Sequence, residues 1–177
     1  MGGFGRSAKE MNIPDHTFLF TGFGLAHAAY SISDLPEGDL LIPLMIVEHE
    51  GKREVIRFEA ETQEEAIEQG KNKIEEVKGR VDLWIFAREG VVASSSGGRV
   101  DVISIDGGSI DSPSIVTVVL PFQPYHIENE FKIFTPMIVT VDGEALSNQD
   151  QESCERLIEE GVLNHPTASS LWDTWKQ

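Results

Sequence analysis

Along the chain the spacing of apolar residues changes several times, and each change predicts an element. Phe18–Ser33 (FLFTGFGLAHAAYSIS) is apolar and rich in small side chains, with Phe23, Ala26, Ala29 and Tyr30 at helical spacing. The pattern predicts a buried helix, with Asp15 or Thr17 available as its cap. Gly22 and Gly24 weigh against the first turns, since glycine costs about 1 kcal/mol against alanine inside a helix, and a start beyond them is the alternative. Pro36 and Gly38 in Asp34–Asp39 then turn the chain. Leu40–His49 and Arg53–Ala60 read as two strands of a hairpin around Glu50 and Gly51, the second alternating imperfectly between its faces.

Thr62-Gln63-Glu64-Glu65 is a capping box and opens the clearest helix. Ala66, Ile67, Gly70, Ile74 and Val77 form its apolar stripe, and Gly79 stops it. Val81–Ala87 is almost continuously apolar, as a strand covered on both faces would be. The strand, helix and strand of residues 53–87 therefore suggest a parallel crossover. Val91–Ser94, Val100–Asp106, Ser114–Phe122 and Phe131–Asp142 follow as short strands, most simply a meander, with Ser94–Gly98 as a mobile loop. Pro121, Pro124 and Pro136 place the later runs at an edge or at bulges. A helix capped by Asn148 or Asp150 carries Cys154, Leu157, Ile158 and Gly161 on its apolar side and ends before Pro166. A short helix, Ala168–Trp175, closes the chain.

These elements predict an α+β fold: a predominantly antiparallel sheet of about six or seven strands with helices packed mainly on one face. An α/β sandwich with helices on both sides is the alternative. The expected organisation is a flexible N-terminal segment, 1–15, and a single α+β domain, 16–177. With 177 residues, 40% apolar and 16 glycines, the composition is that of a globular chain large enough to bury a core.

Charge narrows the function classes. There are 14 Lys and Arg against 30 Asp and Glu, a formal charge of −16, and such a surface repels phosphate backbones. Nucleic acid is not an expected partner. Residues 1–88 carry 10 basic and 16 acidic side chains, residues 89–177 carry 4 and 14, so the second half is the more acidic. Cys154 stands alone, which excludes an intramolecular disulfide and a cysteine-rich metal site and fits a reducing compartment. The start lacks a secretory apolar core, and the most apolar runs are too short and too interrupted to span a bilayer. A soluble, cytoplasmic protein without a cofactor is the expectation.

Gly22-Phe23-Gly24 has His27 where a dinucleotide loop needs its third glycine, and no P-loop, nucleophile elbow or zincin sequence is present. The order of elements resembles in outline a nuclease fold that sets carboxylates and a lysine on adjoining strands. Asp39, Glu59 and Glu61 are the nearest counterparts, but the D/E-x-K pattern is absent and only Lys71, a helix later, offers the cation. Two groups carry candidate acid-base or metal chemistry: His126, Glu128 and Glu130, which share a face if extended, and His49 with Glu50. Cys154, beside Glu152 and Glu155, reads as a buried structural thiol, and His27 as a hydrogen-bonded core histidine. Trp172 and Trp175, spaced i, i+3, are candidate binding anchors. The expected function is a non-catalytic acidic interaction protein that neutralises or docks a basic protein partner. A small-ligand or metal-dependent enzyme using the His/Glu residues is the alternative, and self-association through edge strands or the terminal helix is a further mode of interaction.

Overall fold

The structure, a computed structural model, describes residues 12–177. Eight strands form one antiparallel sheet: β1 (Leu44–His49), β2 (Lys52–Arg57), β3 (Leu83–Ala93), β4 (Arg99–Ser109), β5 (Ser112–Gln123), β6 (Lys132–Ile133), β7 (Ile138–Val141) and β8 (Glu144–Ala145). Their order is β2-β1-β3-β4-β5-β7-β8, with β6 paired to β5 beyond the end of β7. The α+β class with an antiparallel sheet is as the sequence predicts. The strand inventory differs in detail: the two runs Val81–Ala87 and Val91–Ser94 join into β3, and Phe131–Asp142 divides into β6 and β7 around Pro136. Pro121 falls where β5 passes from its β7 partners to its β6 partners, a gap in which its missing N–H costs no ladder bond.

Three helical pieces lie on one face of the sheet: α1 (Asp15–Ile32), α3 (Asn148–Val162) and the short α4 (Trp172–Trp175). They cover Leu44, Ile46, Ile85, Ile103, Ile105 and Val118. One helix, α2 (Gln63–Val77), covers Met45, Val47, Trp84 and Phe86 on the other face. β3 is thus buried from both sides, which explains its continuous apolar run. β2 and β3 run in the same direction, since each is antiparallel to β1, so α2 makes the expected crossover, but β1 lies between the two strands it joins.

Local chemistry sets α2. The Thr62 hydroxyl accepts the Glu65 amide at 3.1 Å, and Gly79, at φ 80°, follows its end. In α3 the cap is Ser147, not Asn148 or Asp150: its hydroxyl accepts the Asp150 amide at 3.2 Å. Within the segment 1–15, residues 1–11 lie outside the described range. Ile13 is buried and Asp15 opens α1, so the packed chain starts before residue 16.

α1 runs through both of its glycines, as the longer of the two expected helices does. Its buried residues face every direction, as in a helix enclosed between a sheet and another helix. A methyl group at Gly22 would collide with the Ile158 carbonyl of α3, and one at Gly161 of α3 with the Leu19 carbonyl of α1. At Gly24 it would lie 2.6 Å from the Ile85 side chain of the sheet. Helix propensity alone makes Gly22→Ala and Gly161→Ala stabilising by about 1 kcal/mol each. Backbone collision reverses the sign, with an expected net loss of roughly 1–3 kcal/mol. Urea unfolding of the two variants measures it; an unchanged or higher midpoint would refute the packing account.

Candidate functional site

The outer face of α3 builds an acidic concave surface. Cys154, Ile158, Gly161 and Val162 turn inward, which leaves the glutamates on the solvent side. Glu152, Glu155, Glu159 and Glu160, with Asp173 of α4, line a groove of about 510 Å³, where Arg156 is the single cation among the lining residues. Two of these carboxylates are engaged: Glu159 holds Lys176 at 2.6 Å, and Glu155 accepts the Met137 amide at 3.3 Å. Glu152, Glu160 and Asp173 are exposed and form no ion pair among the described residues. Leu163, 63% exposed, supplies an apolar patch at the rim. Trp172 also lines the groove; it is 2% exposed, and its indole N–H meets no acceptor. Beneath lies Cys154, buried, its thiol pushed up to about 11 by burial and by the Asp150 and Asp15 carboxylates, so the sulfur stays protonated.

Trp172 and Trp175 do not form the exposed pair that their spacing suggests. The terminal segment folds back: the Gln177 amide donates to Ile133, and Lys176 bridges the same residue alongside β6. Trp175 stands edge-on to Phe131 at 5.0 Å and is buried with Trp172 in the main core. Large aromatic surfaces pack here on their own chain.

The histidine and glutamate candidates are also separated. His126, Glu128 and Glu130 lie in the turn after β5 and are exposed. Positive φ at Glu128 and Asn129 curls the backbone, which removes the shared face of an extended segment. Lys132 reaches within 3.9 Å of Glu128 and 3.8 Å of Glu130. His49 and Glu50 belong to the β1–β2 turn, where His49 lies 3.6 Å from Asp82 at the entry to β3. His126 instead borders a small cavity with Glu89 and Asp101, toward the other end of β3. Seven residues of strand, about 23 Å at roughly 3.3 Å each, separate Asp82 from Glu89. Burial raises the affinity of Glu89 for its proton; a hydrogen bond from the Leu41 amide opposes this and Asp101 adds to it. Among the described residues no three His, Cys, Asp or Glu side chains are arranged to hold a metal ion.

Two histidines isolated in the sequence do meet. His27 Nδ1 of α1 lies 3.3 Å from His165 Nε2, beside the rings of Phe23 and Tyr30. His165 Nδ1 accepts the amides of Thr167 at 3.2 Å and Ala168 at 3.0 Å. Its proton must then sit on Nε2 and point at His27 Nδ1, which leaves the His27 proton on a buried Nε2 with no acceptor. With His165 Nε2 protonated, the pair is a hydrogen-bonded strut between α1 and the C-terminal segment, not a pair of metal ligands. Nothing local in the sequence reports it, because 138 residues separate the partners.

No helix among the described residues is long and apolar enough to cross a membrane. No protein-family model, curated protein or solved structure matches the chain.

Protonation of the strut is disfavoured at both rings. For His27 the causes are burial, then the nearby His165 and Arg57; for His165 it is burial. Both folded-state pKa values lie below the ordinary 6.5, so the unfolded chain binds more protons just below that pH. The strut's contribution is complete above pH 6.5 and is lost as pH falls toward the folded values. Melting temperatures measured from pH 7.5 to 5.5 are expected to fall in the native protein and to vary less in His27→Asn/His165→Asn; parallel curves would contradict the assignment.

Proposed function

We propose that the protein is a non-catalytic interaction protein that docks a basic protein partner against the outer face of α3 and masks that partner's cationic surface. The groove carries this reading. Glu152, Glu160 and Asp173 present carboxylates with no partner among the described residues, next to the exposed Leu163. Such a surface recognises lysine and arginine side chains that flank an apolar residue. The charge of −16 adds a long-range field that speeds encounter with a cationic protein and discourages nucleic acid.

Separation of His126, Glu128 and Glu130 from His49 and Glu50 favours binding over acid-base catalysis by those residues. The lone, buried Cys154 thiol supports a reducing, cytoplasmic setting. In this reading the protein needs neither a cofactor nor a membrane. Self-association is the competing use of its surfaces, and sedimentation at several concentrations separates it from partner binding.

Titration with a short lysine-rich peptide carrying a central leucine tests the reading by amide NMR. The expected result is chemical-shift change confined to α3 and α4, including the Trp172 indole N–H, with affinity falling as salt rises. Glu152→Lys/Glu160→Lys/Asp173→Lys is expected to weaken binding at least tenfold without altering the melting temperature by more than a few degrees. Absence of shifts on α3, or binding indifferent to both salt and the triple substitution, would overturn the reading.

A further inference from the structure

The free edge at β2 differs in character from the acidic groove. The sheet ends at its other side in β8, a strand of two residues, whereas β2 leaves six residues without an outer neighbour among the described residues. Register decides which backbone groups are free. His49 pairs with Lys52 across Glu50 (φ 52°) and Gly51 (φ 79°), the left-handed pair of a two-residue hairpin turn. Such a turn makes His49 and Lys52 a hydrogen-bonded pair, and hydrogen-bonded pairs recur at every second position. Lys52, Glu54 and Ile56 therefore direct their backbone groups to β1. The amide of Phe58 donating to Pro43 at 2.9 Å continues that series. Arg53, Val55 and Arg57 consequently point their N–H and C=O groups outward, an unoccupied ladder of three residues.

Side chains flanking this ladder define what fits. Arg53, Val55 and Arg57 pair with Glu48, Ile46 and Leu44 and so share the α1 face of the sheet. Arg53 is held in place, 2.7 Å from Glu48 and with its guanidinium 4.3 Å from the Phe23 ring centre. Val55 is 39% exposed. Arg57 is exposed, has no ion pair among the described residues, and lines a groove of about 800 Å³ that continues past the strand end. Leu40 and Ile42, 52% and 43% exposed, line the same groove. Three of the chain's 14 basic residues lie on these six positions, in a protein otherwise dominated by carboxylates.

We propose that the β2 edge accepts an extended acidic peptide as a ninth, antiparallel strand, with a carboxylate across from Arg57 and an aliphatic side chain two positions away across from Val55. Charge disfavours a second copy of the chain in the one register that would use all three outward residues. Antiparallel self-pairing centred on Val55 sets Arg53 opposite Arg57 of the copy, placing like charges at both ends of the ladder. Charged residues commonly guard an edge against aggregation. Here the strand also has regular pairing, no proline and an exposed valine, which are features of a docking edge, while Asp39, Glu59 and Glu61 in the groove beyond its end confine an acidic peptide to the ladder itself. The proposal is independent of the α3 reading, and the two surfaces share no residue.

The probe is a nine-residue threonine peptide with glutamate at positions three and seven and valine at position five, titrated into the isotopically labelled full chain. Shifts at Arg53, Val55 and Arg57 are expected, with amide exchange at these three residues slowed at least tenfold at saturation. Arg57→Glu is expected to weaken binding at least tenfold and to favour the same peptide with lysine in place of glutamate. Val55→Pro, which removes an outward N–H, is expected to abolish binding, while the α3 triple substitution leaves it unchanged. Absence of shifts at millimolar peptide would overturn the proposal, as would slowed exchange at Arg53, Val55 and Arg57 that grows with protein concentration without peptide, the sign of self-pairing. Loss of peptide binding in the α3 variant would also overturn it, by placing the acidic peptide elsewhere.

Discussion

Everything on the covered face of the sheet depends on how closely α1 and α3 approach each other. Gly22 admits the Ile158 carbonyl and Gly161 admits the Leu19 carbonyl, so the two backbones meet without intervening side chains. The two helices bury themselves differently. α1 is apolar nearly all round and is enclosed, while α3 offers a narrow inner strip of Cys154, Ile158, Gly161 and Val162. A larger residue at either glycine would lift α3 and with it the segment that carries His165, Trp172 and Trp175. The conformational cost of glycine inside a helix is thereby offset by packing density.

From that arrangement follows the distribution of charge. Because α3 uses one narrow strip for the core, its other positions are free to be acidic, and they gather with Asp173 around one groove. The His/Glu candidates of the sequence lie in separate turns, His49 and Glu50 at the end of β1 and His126, Glu128 and Glu130 after β5. Near β3, Asp82 sits beside His49 at one end and Glu89 shares a cavity with His126 toward the other, while Asp106 between them is held by Arg88 at 2.9 Å. The basic residues of β2 form a separate, smaller surface at the edge of the sheet. Two surfaces of opposite sign on one rigid sheet and helix framework suit a protein that acts by association.

Legibility followed the range of the interaction. Thr62 and Gly79 were readable as the ends of α2 because capping and termination involve groups within a few residues. The β1–β2 turn was readable for the same reason. The start of α1 was left between two positions: propensity discounts Gly22 and Gly24, and only their neighbours from α3 and β3 show why glycine belongs inside the helix. β3 was read as two runs, with Gly90 between them, although β4 pairs with it continuously from Leu83 to Ala93. The indoles of Trp172 and Trp175 offered themselves as anchors for a partner by their spacing, and the backbone fold at Ile133 placed them in the core.

By itself, the sequence determined the alternation of helices and strands, the antiparallel α+β class, the excess negative charge and the absence of any disulfide within the chain. These depend on periodicity, composition and local hydrogen bonding. Tertiary structure alone decided that His27 meets His165, that His49 and His126 lie far apart, that the carboxylates of α3 share a groove with Trp172, and that β2 is left at an edge. Each of those outcomes joins or separates residues distant in sequence. They follow from how the sheet is ordered and how the helices seat on it, which no local pattern encodes.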